Sequence, residues 1–302
     1  MQIGFAVPVA GGWATPRNQV EIAQRAEELG YRSVWTLQRL VNPADSTDLT
    51  YRNVPDPLLT LAYLAGQTSR IRLGVAVVNL PFFSPALLAK QAVTLDHLSG
   101  GRLDLGLGLG WMPEEFAAVG APMERRGARA EEFLAALRSL WRDEVSAYEG
   151  EFYRFPPVRM EPKPVQTPEP PVLLGGTSEP ALRRAGRLAA GWVSSSRADL
   201  AAIGRSIGIV REAAERAGRD PDALRMVCRG AVRLREPGLP GRRPLTGSLE
   251  EVRADFADLA EQGVTELFVD LNFDPALTGP DADPARSMAV AREALEAFAP
   301  QS

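Results

Sequence analysis

Three stretches of the chain combine residue types that can do chemistry, and each follows an apolar run of strand length. In LGLGLGWMPEEF, Gly106, Gly108 and Gly110 recur at every second position. Glycines so spaced line one face of a strand, where a flat ring or a neighbouring backbone can come close. The sequence leaves both readings open. In LLGGTSEPAL, Gly175, Gly176, Thr177 and Ser178 run directly into a helix start. Exposed amides, the positive end of the helix dipole and two hydroxyls make an anion cradle, with phosphate the usual occupant. The plainer reading is a capped helix, with Ser178 as cap and Glu179-Pro180 in the first turn. Ser194, Ser195, Ser196 and Arg197 follow another short strand and by themselves read as a polar turn. The chain has one cysteine and one histidine. Cys228, inside MVCRGAV, reads as a buried structural thiol, and a lone cysteine far from a lone histidine makes no zinc site, so no metal is expected.

The elements that must position these groups alternate from end to end. Ile3–Val7 reads as a strand, followed by a helix over Asn18–Leu29 with Gly30 at its C-cap. The strand Ser33–Thr36 precedes a helix over Asp56–Thr68. Ile71–Val78 reads as apolar on both faces, as a parallel strand covered by helices should, and a helix over Pro85–Leu98 follows it. Strand four, Arg102–Leu109, leads to a helix over Arg125–Trp141. Pro171–Leu174, Gly191–Ser194, Met226–Val232 and Glu266–Leu271 complete eight strands, with helices over Glu179–Leu188, Asp199–Ala217, Leu249–Gln262 and Pro284–Phe298. Eight such units predict a closed (β/α)8 TIM barrel, because right-handed crossovers then leave no strand edge unpaired. Three stretches interrupt the alternation. Val41–Pro55 and Glu236–Gly247 follow strands two and seven, on the face where barrel sites are built, and are expected to shape a pocket. Val145–Pro170 precedes strand five and reads as a hairpin and an extended linker.

The 302 residues, 45% hydrophobic and 24% charged, suit one domain over 1–302. A net charge of -4 and a pI near 5.4 supply no basic stripe for nucleic acid and leave a small organic molecule as the expected partner. The opening MQIGFAVPVAGG has no basic leader, and no apolar run nears the roughly 20 residues that span a bilayer. The expectation is a soluble cytoplasmic protein without a membrane partner.

A resemblance covers nearly the whole chain. The succession EELGYRSVW, RIRLGVAVVNLPFFSPALLAKQAVTLDHLSGGRLDLGLGLGW, RGARAEEFLAALRSLW, GEFYRF, PKPVQ, LLGGTS and GRLAAGW resembles the luciferase-like monooxygenase superfamily, and within it the F420-dependent oxidoreductases. The resemblance implies hydride transfer between coenzyme F420 and an organic substrate. Its alternatives are an FMN-dependent monooxygenase on the same barrel and a non-catalytic F420-binding barrel. It further implies a bulge with a non-prolyl cis peptide at Ala76-Val77, followed by Val78, behind the cofactor ring. Leu109 and Gly110 match cofactor-lining positions, Gly175, Gly176 and Thr177 the phosphate end, and Ser194 and Ser195 the sixth-strand contacts. Relatives of this kind are often dimers.

One position departs from the family's pattern. Many relatives carry an Asp-His pair after strand two, where this chain reads Thr36-Leu37-Gln38-Arg39. Arg39 stands in the histidine's place and cannot serve readily as an acid or base, so its expected catalytic role is fixed positive charge; the plainer reading is a rim ion pair. His97, at a helix end, reads as structural. Glu114 and Glu115 are candidate acids, the plainer reading being an exposed pair that starts a helix. Trp13, Phe82, Phe83 and Trp111 suggest a broad aromatic pocket.

Overall fold

Eight of the apolar runs pair in parallel and close into a ring, in a computed structural model that describes residues 1–47 and 50–300. The barrel strands are β1 (Gln2–Ala6), β2 (Ser33–Thr36), β3 (Arg72–Asn79), β4 (Leu103–Gly108), β5 (Val172–Gly175), β6 (Gly191–Val193), β7 (Arg225–Ala231) and β8 (Glu266–Asp270). They neighbour one another in sequence order, and β8 pairs with β1 through Gln2 and Glu266 to close the ring. The predicted TIM barrel is therefore present, with strand limits within one or two residues of expectation.

The helices are α1 (Pro16–Glu28), α2 (Pro57–Ala65), α3 (Pro85–Ser99), α4 (Pro113–Val119), α5 (Arg126–Arg142), α6 (Glu179–Leu188), α7 (Ile203–Arg216), α8 (Leu249–Glu261), α9 (Pro275–Thr278) and α10 (Pro284–Ala297). Several start by one device: a proline in the first turn, behind a side chain that accepts a first-turn amide, as Thr15, Asp56, Ser84 and Asp283 do. None of the helices among the described residues is long and apolar enough to cross a membrane.

Strand alternation sorts the core into two layers. Phe5, Val34, Leu73, Leu105, Leu174, Cys228 and Val269 pack outward against the helices. Ala6, Trp35, Ala76, Leu173, Val193, Val227 and Phe268 form a separate cluster within the ring, where Trp35 stacks on Phe268 at 4.7 Å. Arg72 overturns the expectation that strand three is apolar on both faces. With Arg225 it grips the buried Asp104, at 2.6 and 2.7 Å, and Arg225 also pairs with the buried Glu266. Burial alone would raise the Asp104 carboxyl, but hydrogen bonds and charge from the two guanidiniums outweigh it and hold it below its ordinary value. This network closes the ring at its N-terminal end, away from any cleft at the strand C-termini.

The insertions behave unequally. The stretch before β5 forms the expected hairpin, Ser146–Glu149 against Arg154–Val158, followed by extended chain. The loop after β7 departs from expectation. Arg242 pairs with Asp255 of α8, whose carboxylate also takes the Leu245 amide, so the loop is tied to α8 rather than to the pocket. In the loop after β2, Asp48 and Leu49 lie outside the described residues.

Candidate functional site

The site begins with a miscount between two strands. Between the pairs Val75–Leu105 and Val78–Leu107, β3 has two residues opposite one of β4, a bulge that contains the cis peptide Ala76-Val77. The bulge reverses the alternation, so Ala76 and Val77 both face the interior and Val78 turns outward into the helix-facing core. Ala76 and Val77 line a cavity of about 830 Å³ at the C-terminal end of the barrel, and Val78 does not. The expected place of Val78 in the cofactor wall is thereby corrected.

The β4 glycines answer to the same bulge. A Cβ on Gly106 would lie 2.0 Å from the Val75 carbonyl oxygen, and one on Gly108 2.5 Å from Val77 Cγ2. Of the two readings open in the sequence, approach of a neighbouring backbone holds for Gly106. Leu109 and Gly110, just beyond the strand, line the cavity.

Across the cavity, Gly175, Gly176, Thr177 and Ser178 lead into α6 and line the same space. Ser178 occupies the N-cap position, yet its hydroxyl makes no capping hydrogen bond, and Thr177 and Ser178 are exposed. In that first turn Pro180 has no N–H and the Ala181 amide donates to the Ser178 carbonyl at 2.9 Å, so the Glu179 amide and two hydroxyls are what is left open to an anion. Gly176 has φ +139°, and a Cβ there would fall 2.5 Å from the Ala181 Cβ, so this glycine answers to the packing of α6 as well as to any ligand. Ser194 and Ser195 also border the cavity, but both hydroxyls are engaged, accepting the amides of Arg229 and Arg197.

Arg39 comes to the cavity wall nearly buried, between the rings of Tyr51, 4.2 Å away, and Trp111, 5.0 Å away. Its Nη1 donates to Glu115 Oε2 at 2.7 Å, and Glu115 Oε1 accepts the Leu40 amide at 2.7 Å. Glu115 is therefore no exposed helix-starting residue: it is 1% exposed, pointing from the first turn of α4 to the end of β2. Glu114 stays exposed. Arg39 both forms the plainer reading's ion pair and lines the cavity.

The expected aromatic lining is corrected too. Trp111 belongs to it, whereas Trp13 is buried in the core and Phe82 and Phe83 stand outside the lining. Tyr51 and Trp192 take their place. His97, exposed in the last turn of α3, meets the Lys163 carbonyl at 2.7 Å, far from the cavity. Burial pushes the Cys228 thiol up to about 12. Sequence reasoning missed Arg229 altogether, since it lies within the apolar-looking β7 run. It also missed Arg126 and Arg205, on α5 and α7, whose convergence with Arg197 at the cavity mouth only the ring order produces.

The profile of the luciferase-like monooxygenase family matches residues 1–238. The chain belongs to this family. An uncharacterized protein of Mycobacterium tuberculosis is 31% identical over 283 residues, 89% of either chain. Another from the same organism is 37% identical over 188 residues, 58% of this chain and 66% of its own length. The FMNH(2)-dependent dimethylsulfone monooxygenase of Pseudomonas putida is 38% identical over 128 residues, 41% of this chain and 35% of that enzyme. The monooxygenase RslO1 of Streptomyces bottropensis superposes with a TM-score of 0.80 at 26% identity, covering 99% of this chain and 98% of that one. An F420-dependent secondary alcohol dehydrogenase shares the fold, with a TM-score of 0.79, 17% identity and 98% coverage of each chain. This luciferase-like protein is thus an oxidoreductase-type barrel with a cavity at the C-terminal ends of its strands.

Proposed function

We propose that this luciferase-like protein holds coenzyme F420 in the 830 Å³ cavity and passes a hydride between it and an organic substrate beside Arg39. The observation that carries this reading is surplus positive charge at the mouth. Arg126, Arg197 and Arg205 line it, and among the described residues none of them has a carboxylate within salt-bridge distance. In a chain of net charge -4, unpaired arginines in one cleft favour a ligand with several negative charges. F420, with a phosphodiester and a tail of carboxylates, fits that need better than a single phosphate does. The uncapped Ser178 hydroxyl, with the Glu179 amide beside it, suits the phosphate end.

When bound, the coenzyme supplies a two-electron hydride donor or acceptor at its ring. The chain supplies the rest. The Ala76-Val77 bulge and Leu109-Gly110 give the ring a shaped, largely apolar wall. Arg39, held by Glu115, presents fixed charge to the substrate, and Nη2 of its guanidinium donates to no group among the described residues. Tyr51 and Trp111 flank that guanidinium and keep water from it.

A second reading is an FMN-dependent monooxygenase, supported by the match to the Pseudomonas enzyme over 128 residues. A side-by-side titration of F420 and FMN decides between them. Under the first reading F420 binds at least tenfold more tightly than FMN and loses more affinity on raising salt from about 50 to about 500 mM, because more charges are neutralised. Tighter binding of FMN would favour the monooxygenase. Turnover of reduced coenzyme with any acceptor would exclude a non-catalytic carrier.

A further inference from the structure

One cation in the cavity is used neither by the sequence motifs nor by the reaction proposed above. Arg229 stands on β7, opposite β3 in the ring, with its side chain 11% exposed. Its Nη2 donates to the Ala76 carbonyl oxygen at 2.7 Å, across the barrel and across 153 positions of sequence. Its Nε lies 3.1 Å from Oδ2 of the buried Asp270, whose Oδ1 is occupied by the amide and side chain of Asn272. Phe268 and Phe273 lie under the guanidinium, at 5.5 and 5.1 Å. Nε and Asp270 Oδ2 stand at ion-pair distance without forming a hydrogen bond, and Nη1 donates to nothing among the described residues, so the Ala76 carbonyl is the one hydrogen-bond partner of the guanidinium there. Arg229 and Ala76 line the cavity together.

A guanidinium fixed in this way, beside the wall against which the ring is proposed to lie, interacts unequally with the two redox states of that ring. Adding a hydride without a proton leaves the ring with one more negative charge than before. A buried positive charge a few ångströms away favours the state with the extra charge, and little water is present to screen it. Asp270 tempers this charge through one oxygen only, Oδ2 at 3.1 Å from Nε, while Oδ1 is taken up by Asn272.

We infer that Arg229 is a positioning residue that braces the Ala76 carbonyl and shifts the bound coenzyme toward its reduced form, with Asp270 as the counterweight that sets how far. The inference rests on the F420 reading and specifies how that site is tuned.

The test measures affinities of the purified protein for oxidised and reduced F420, and for oxidised and reduced FMN, by quenching of protein fluorescence. Arg229→Gln should weaken the reduced coenzyme at least tenfold more than the oxidised one, which lowers the midpoint potential of the bound two-electron couple by about 30 mV. Arg229→Lys keeps the charge and loses the fork, and should retain most of the wild-type ratio. Asp270→Asn should move the ratio the other way, and it keeps the test open if Arg229→Gln does not fold. Equal weakening of both redox forms in Arg229→Gln, or an unchanged ratio in Asp270→Asn, would overturn the inference and reduce Arg229 to a brace. If the unaltered protein binds neither F420 nor FMN, the coenzyme reading itself fails and takes this inference with it. That result is distinct from a protein that binds both forms and shows no Arg229 effect.

Discussion

Replacing Arg39 tests whether its charge acts on a substrate or only holds two loops together. The side chains of Arg39 and Glu115 are 5% and 1% exposed and meet at 2.7 Å. Removing one partner strands the other as a buried charge, at a cost of about 3–5 kcal/mol. Arg39→Met keeps the aliphatic volume and leaves Glu115 with only the Leu40 amide, so it should lose most of that amount. For a chain of this length the loss corresponds to a fall in Tm of roughly 6–10 °C, taking about 2 °C per kcal/mol. The double variant Arg39→Met/Glu115→Gln removes both charges, and the introduced carboxamide oxygen can still accept from the Leu40 amide. It should recover at least about 2 kcal/mol, a coupling that denaturant unfolding of the four proteins measures directly. A coupling below about 0.5 kcal/mol would refute the buried pair. The activity arm then separates the two roles. If the guanidinium stabilises charge on the substrate, the double variant stays at least about a hundredfold down in kcat/KM despite its regained stability, since one such donor is worth roughly 3–4 kcal/mol. Activity that returns with stability would make the pair a clasp between β2 and α4, and nothing more.

Other outcomes follow from the same geometry. Gly176→Val should weaken coenzyme binding and also lower stability by about 1–3 kcal/mol, because its Cβ meets Ala181 and its φ is +139°; calorimetric titration alongside melting separates the two effects. Asp104→Asn should lose about 3–5 kcal/mol at neutral pH by leaving Arg72 without its buried counter-charge and Arg225 with Glu266 alone. Because the folded-state carboxyl is held below its ordinary 3.8, the stabilisation from Asp104 is complete above about pH 4 and disappears as pH falls through the folded value. Urea midpoints at pH 5 and pH 3 should therefore fall more in the unaltered protein than in Asp104→Asn. Cys228, fully buried and pushed up to about 12, should resist iodoacetamide at pH 8 until the barrel is unfolded, as mass spectrometry of the modified chain would report.

Periodicity and punctuation were enough to specify the frame. Apolar runs of strand length, prolines at helix starts and polar caps act on neighbouring residues, so eight βα units and their closure are legible from local signals. The motif after β5 was legible for the same reason, since a glycine pair before a helix start is a local device. The Ala76-Val77 step was legible only through resemblance, because nothing in AVV marks a bulge; the partner strand's Gly106, with no room for a Cβ, is what the bulge requires. Tertiary structure alone decided the charges. Glu115 beside Pro113 looks like a solvated first-turn acid, and it becomes a buried partner because α4 packs its start against the end of β2, 76 residues earlier. Arg72 and Arg229 hide in apolar runs because each has its counter-charge on another strand, which sequence spacing cannot reveal. A buried cation is tolerable only where the fold brings an anion to it, so the position of such residues is fixed by the closed ring and not by the neighbours along the chain.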